Sequence, residues 1–335
     1  KVLNLNIGQM NYTDPMGPDQ YGYYIYDSND IAYSSVPIYD WIEIDPYFSG
    51  SGTILIDLND PGENQDDVTF INMPFDFQFY GEYYEQVSIS TNGWIKPGLT
   101  NQSSFRNWRL PGAGGPSPMI AAFWDDLQTQ SGRICVKYDL ENNWYIIEWS
   151  SVENGFDGSE ETFQIIIYDA AYYPTETGDN IIKIQYKKFN NVNSGHYDIY
   201  NQWHGNYASV GIENQSANIG LEYTWNNQYP ASSSVLEDES ALLITTNSPN
   251  YLYPPVIMLN SHNSYDYSLS IDESASDYIE IQNNGEANLY FEVSRFCDEP
   301  EGMSTPDSFG NAWIESTSES GPNFNWIEIS DIGTE

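Results

Sequence analysis

The sequence predicts an all-β protein: an antiparallel β-sandwich with a smaller β module after it. Three observations predict it. Apolar and polar residues alternate with a period of two through roughly fourteen short runs. Each run is bounded by Asn, Asp, Gly, Ser or Pro. Sustained apolar residues at helical spacing are absent. Short strands separated by turn signals suit antiparallel sandwiches, because parallel sheets need helical crossovers.

The elements follow in chain order. Val2-Leu3-Asn4-Leu5-Asn6-Ile7 is an alternating strand without an evident partner before it. Phe75, Phe77 and Phe79 alternate with Asp76, Gln78 and Tyr80. Tyr145, Ile147 and Trp149 share one face, with Glu148 on the other. Ile182, Ile184 and Tyr186 alternate with Lys183, Gln185 and Lys187. Such alternation predicts one packed and one wet face. The pattern breaks after Leu242-Leu243-Ile244-Thr245-Thr246, where Asn247-Ser248-Pro249-Asn250 and Pro254-Pro255 read as a stiff linker. In the smaller module, Tyr278-Ile279-Glu280-Ile281-Gln282 runs into Asn283-Asn284-Gly285, a hairpin signal. Leu289, Phe291 and Val293 alternate after it. The expected divisions are residues 1–16 (strand and linker), 17–246 (large sandwich), 247–300 (small module) and 301–335 (a second repeat copy or closing element).

An internal repeat is the most informative feature. Pro18-Asp19-Gln20-Tyr21-Gly22 is followed by Ile25-Tyr26-Asp27-Ser28 and then Tyr39-Asp40-Trp41-Ile42-Glu43-Ile44. Pro306-Asp307-Ser308-Phe309-Gly310 is followed by Trp313-Ile314-Glu315-Ser316 and then Phe324-Asn325-Trp326-Ile327-Glu328-Ile329. The order matches and the spacing nearly does. The two Pro-Asp pairs lie 288 positions apart (306 minus 18). The chain reads as slightly more than one period of a tandem array. It begins Lys1-Val2-Leu3-Asn4 without an initiator Met, which reads as a piece of something longer.

Other segments carry a family likeness. Phe75-Asp76-Phe77-Gln78-Phe79-Tyr80-Gly81 and Val87-Ser88-Ile89-Ser90-Thr91-Asn92-Gly93-Trp94-Ile95 resemble the opening of nidogen-like β domains. Met119-Ile120-Ala121-Ala122-Phe123-Trp124-Asp125-Asp126-Leu127 is similar to that family's central strand and acidic turn. Glu161-Thr162-Phe163-Gln164 and Val210-Gly211-Ile212-Glu213-Asn214 resemble its later strands. The likeness covers about residues 17–246. It implies a non-catalytic β module in an exported bacterial protein of Bacteroidota type. Such modules stand beside secreted peptidase domains and in large repetitive surface proteins. The segment after it resembles immunoglobulin-like repeats. The resemblance supplies no active site to map.

Charge narrows the partners. Against 49 Asp plus Glu stand 10 Lys plus Arg, a formal net charge of -39. Polyphosphate and anionic lipid would be repelled, so nucleic acid and membrane surfaces are not expected partners. No apolar run approaches the roughly 20 residues of a membrane helix. Cys135 and Cys297 make no disulfide framework, and Cys135 reads as a small core hydrophobe. Together with His196, His204 and His262 they are too few for a structural zinc site.

Candidate chemistry is correspondingly thin. The histidines lie in polar loop-like stretches, and no Gly-x-Ser-x-Gly elbow is present, so no residue is expected to be catalytic. Calcium is the stronger acidic reading, because Ca²⁺ gathers oxygens from clustered Asp, Asn and carbonyl groups. Candidate ligands are Asp57, Asn59 and Asp60 with Asp66-Asp67, then Asp125 and Asp126, then Asp27 and Asp30. None fits an EF-hand loop. Trp108, Trp144, Trp203 and Trp225 lie in polar contexts and are candidates for stacking on surface glycans. Asn11, Asn101 and Asn214 open glycosylation triplets, although no glycan is expected in a bacterial protein. No lysine stands in a clear core position, so no isopeptide cross-link is expected.

The expected role is a non-catalytic structural or adhesive segment of an extracellular tandem-repeat protein. Its partners would be copies of itself or adjacent repeats. The alternating residues Val2, Leu3, Leu5 and Ile7 would complete a neighbour's sheet edge. Two alternatives are an accessory region of a secreted peptidase and a carbohydrate-binding module.

Overall fold

The structure, a computed structural model, describes residues 11–62, 65–155, 158–192 and 207–250, with 252, 257–259, 268, 273–276, 280–283, 310 and 311. The chain divides into two units, residues 1–287 and 288–335. Only Gly310 and Asn311 are described in the second.

The first unit is built from strands. In chain order they are β1 (Tyr24–Asp27), β2 (Thr53–Ile54), β3 (Val68–Phe79), β4 (Glu82–Ser90), β5 (Trp94–Pro97), β6 (Met119–Trp124), β7 (Leu127–Gln128) and β8 (Arg133–Asp139). Then come β9 (Trp144–Asn154), β10 (Glu160–Tyr168), β11 (Ile182–Lys188), β12 (Ser209–Glu213), β13 (Gly220–Thr224) and β14 (Ser240–Thr245). A short 3₁₀ turn spans Pro46–Phe48, capped by the Asp45 carboxylate on the Tyr47 N–H. The all-β class expected from the alternation is the class observed.

One sheet runs β1-β14-β11-β10-β9-β8-β2, with β7 also paired to β9. The other runs β13-β12-β6-β5-β4-β3. Pairing is antiparallel throughout both. Two further strands, β15 (Ile257–Leu259) and β16 (Ile281–Asn283), pair antiparallel by themselves. They fall within residues 247–300, where a small module is expected, and the expected turn at Asn284-Gly285 lies outside the described residues.

The two large sheets enclose the main core. Ile147, Trp149, Phe163, Ile165, Ile184 and Tyr186 supply one side, and Phe77, Phe79, Ile89, Phe123 and Ile212 the other. Two polar ring atoms reach across the core: Trp149 Nε1 donates to the Ser90 carbonyl at 3.0 Å, and Tyr186 Oη to the Ala122 carbonyl at 2.7 Å. Burying such large rings needs these partners. The Asn92-Gly93 turn between β4 and β5 is packed against β6. A Cβ on Gly93 would lie 1.9 Å from the Phe123 carbonyl oxygen, and its φ is +73°. Only glycine fits there.

The outer faces depart from the expected alternation. Glu148, Lys183 and Gln185 were placed on wet faces, and all three are buried. Ile146 and Ile166, on that same face, form a second apolar cluster with Ile44 and Cys135. The other sheet is covered as well. Trp94, Leu110, Met119, Ala121 and Trp124 cluster there, with both indole N–H groups on the Ser104 carbonyl at 2.9 Å. The physical reason is that each sheet carries a cover: the larger one a segment over 100 positions earlier in the chain, the smaller one the connection between β5 and β6, which supplies Ser104 and Leu110.

Candidate functional site

The first copy of the repeat supplies the cover on the larger sheet through its Tyr39–Ile44 part, while its residues 25–27 belong to β1 of that sheet. Its Pro18–Gly22 part forms a closed turn. Asp19 Oδ1 accepts the N–H groups of Tyr21, Gly22 and Tyr23 at 3.0, 2.8 and 3.0 Å. Asp19 Oδ2 accepts Tyr80 Oη at 2.7 Å. Gly22 has φ +127°, a conformation in which a side chain is strained. Tyr21 then donates its hydroxyl to Asp179 at 2.7 Å. One carboxylate thus fixes the turn and anchors it to Tyr80, the residue after β3.

The second part, Tyr39–Ile44, crosses the sheet as a strap. Gln185, Gln164 and Glu148 stand in one cross-strand row on β11, β10 and β9. Each meets the strap backbone two residues apart. Gln185 Oε1 accepts the Asp40 N–H at 2.7 Å, and Gln185 Nε2 donates to the Asp40 carbonyl at 2.8 Å. Gln164 Nε2 donates to the Ile42 carbonyl at 3.3 Å. Glu148 Oε2 accepts the Ile44 N–H at 3.2 Å. The strap is therefore held like an added strand, but by side chains. Trp41 lies against Lys187, whose Nζ is 5.3 Å from the ring and 2.8 Å from Glu43. Ile44 fills the second apolar cluster. Asp45 ends the strap, bonded to Arg133 and Ser150. Burial pushes its carboxyl up, but Ser150, the Tyr47 N–H and Arg133 together hold it below the usual range.

Electrostatics around the row are strained. Burial pushes Glu148 up to about 8, with Glu43 and Asp45 adding to the effect. Its Oε1 is buried without a hydrogen-bond partner. Burial also pushes the Cys135 thiol up to about 12. Cys135 is the small core hydrophobe expected; Cys297 lies outside the described residues.

The acidic loops sort differently. Asp57 and Asn59 are exposed. Asp60 accepts the Gly62 N–H at 3.0 Å and Thr91 Oγ1 at 3.3 Å. Asp66 accepts Asn92 Nδ2 at 2.9 Å, and the Asp67 carboxylate accepts the Asn59 N–H at 3.1 Å. Asp126 is pushed up to about 6 by burial and then by Asp66 and Asp60. Asp125 is turned away, onto Asn154 Nδ2 at 3.0 Å. Asp27 is enclosed by Tyr223 Oη at 2.8 Å and by the N–H and hydroxyl of Ser234. Asp30 accepts the Asp27 N–H at 2.8 Å, and burial pushes it up to about 7. Among the described residues, no group of three or more His, Cys, Asp or Glu side chains is arranged to hold a metal ion.

The remaining candidates are placed as follows. Trp108 and Trp225 meet edge to face at 6.0 Å, with the Arg109 guanidinium 4.9 Å from the Trp225 ring. Trp144 packs on Tyr168 at 5.1 Å. These rings pack on one another instead of forming a coplanar row. Trp203, the three histidines, Val2, Leu3, Leu5 and Ile7 lie outside the described residues, as do Pro306, Asp307, Phe309 and Trp326. Gly310 is described, with φ +87°, positive like its counterpart Gly22. Sequence reasoning missed the Gln185–Gln164–Glu148 row. Its signal was present in Tyr145-Ile146-Ile147 and Ile165-Ile166-Ile167, unbroken apolar runs that mark strands covered on both faces. It missed Lys183 too, which is 9% exposed on the covered outer face of the larger sheet.

Comparison with known families matches residues 46–255 to the model described as NIDO related. The match covers more than half of the chain and starts just after the strap. No curated protein and no solved structure matches the chain. By a match over more than half of its length, the chain belongs to the NIDO-related family.

Proposed function

We propose that this chain is a non-catalytic structural or adhesive segment of an extracellular tandem-repeat protein. Each leader seals the outer face of its own sandwich, and the second copy opens the next unit. One observation carries the reading: the repeated residues are docking residues. Asp19 closes the turn, Trp41 and Glu43 hold Lys187, and Ile44 fills the outer cluster. The second copy keeps them as Asp307, Trp326, Glu328 and Ile329. Such a segment has work to do only against a sandwich body. The net charge of -39 supports a protein that stays soluble outside cells and repels polyanions. Residues 247–300 form an immunoglobulin-like spacer in this reading, supported by the β15–β16 pair. The parent is a surface protein of Bacteroidota type.

Negative-stain imaging with light scattering tests it, on the full chain, with calcium and with chelator. Fibres or sheets that Trp326→Ala abolishes would support assembly through the second leader. Their dissolution by chelator would place calcium at the contacts. Discrete monomers in both conditions would refute self-assembly by this segment.

A further inference from the structure

Beside the strap lies a cleft of about 550 Å³ on the outer face of the larger sheet. That volume is within the range of small-molecule sites, roughly 300–1,000 Å³. Its walls are mostly apolar, with Val36, Pro37, Ile38, Tyr168, Ile181 and Leu243, and Ser34 and Ser35 add hydroxyls. Lys183 of β11 lies among them, between Leu243 and Ile166 in the strand register. The residue is 9% exposed, and it makes no hydrogen bond or ion pair among the described residues. Asp40 is exposed at the rim. Its attraction for the Lys183 ammonium is outweighed by burial, which brings the amine down to about 8. The ammonium opens onto the cleft with three donors to offer an acceptor there.

The cleft is pre-formed. Gln185 clamps the Asp40 backbone from both sides at 2.7 and 2.8 Å. Ser34 N donates to the Asn250 carbonyl at 2.9 Å, and Val36 N to the Tyr33 carbonyl at 3.2 Å. Little ordering cost therefore remains for a ligand.

We infer that this cleft binds a compact apolar carboxylate, its oxygens on the Lys183 ammonium and its hydrocarbon part against Tyr168, Ile181 and Leu243. An apolar body removes wall surface from water, and the carboxylate satisfies a cation that the fold leaves unpaired. The strongly acidic surroundings disfavour extended polyanions, so the charge must be small and carried on an apolar stem. This assignment goes beyond the structural role and is independent of assembly.

The test uses the full chain, phenylacetate as probe and acetic anhydride as lysine reagent, read by peptide mass mapping. Phenylacetate is expected to slow acetylation of Lys183 saturably, by about tenfold or more at saturation, a factor that the charged contact can supply. Lys187 and Lys188 are the internal controls, with side chains 44% and 42% exposed. Their labelling should not change. Calorimetry should show binding weakened about tenfold to a hundredfold in Lys183→Met, which keeps the stem and loses the charge. Unchanged labelling of Lys183 at the solubility limit of phenylacetate would overturn the site, whether or not the variant folds. Equal protection by the neutral analogue phenylacetamide would overturn the role of the ammonium.

Discussion

Replacing Glu148 by Gln should stabilise this protein, and the gain should grow with pH. The carboxyl is fully buried, accepts one N–H from Ile44, and leaves its other oxygen without a partner. Burial raises it from an ordinary 4.5 to about 8, with Glu43 and Asp45 as further causes. A carboxyl raised on folding contributes stability in full below pH 4.5 and loses it as pH climbs through about 8. At pH 8 the unfolded chain gains from ionising this group, while the folded chain does not. At ~1.36 kcal/mol per pKa unit, the loss between pH 5 and pH 8 is on the order of 3 kcal/mol. Gln keeps an acceptor for the Ile44 N–H, carries no charge, and offers an amide to the Glu43 carboxylate. Urea unfolding followed by tryptophan fluorescence at pH 5, 6.5 and 8 reads the difference between the two proteins. Other raised carboxyls titrate equally in both and cancel. Parallel stability curves, or a Gln variant weaker at every pH, would refute the reasoning.

Three further outcomes follow from the same geometry. Asp126→Asn should gain on the order of 1–2 kcal/mol above pH 6, because the folded carboxyl is raised by burial and by Asp66 and Asp60; the gain should vanish near pH 4, checked by thermal melts in matched buffers. Gln164→Ala should cost about 1–3 kcal/mol by stranding the Ile42 carbonyl, with faster protease cleavage within residues 34–52 than elsewhere. Cys135, buried and raised to about 12, should react with an aromatic disulfide reagent at pH 8 only at the rate of unfolding; fast labelling without denaturant would contradict its placement.

Parity along a strand is visible in sequence because each side chain points opposite to its neighbours. Phe77, Phe79, Ile147, Trp149, Ile184 and Tyr186 were legible as one packed face for that reason, and they form the core. What parity cannot show is the cover on the opposite face. Glu148, Gln164 and Gln185 look like solvent-facing residues because they are polar. They are buried because a segment over 100 positions earlier lies on them. The pairing of β1 with β14, the first strand with the last of the large sandwich, was equally hidden, since no local signal fixes a partner across 200 residues. The repeat did mark the leader as special. It gave the docking residues without the surface they dock on.

Residues 32–34 tie together the two places where the chain meets the large sandwich. The Tyr33 hydroxyl holds Asp14 at 2.8 Å, while the Ala32 carbonyl accepts Leu252 N at 2.6 Å and the Asn250 carbonyl accepts Ser34 N at 2.9 Å. Tension along the polypeptide would therefore pass from residue 14 to residue 250 across these few hydrogen bonds and the Tyr24–Thr245 end of the β1–β14 pair, bypassing the rest of both sheets. A sandwich mounted this way is a pendant on a thread, not a link in a chain. Modest force would open the clasp first, and the Tyr24–Thr245 end of the β1–β14 pair would carry the load next.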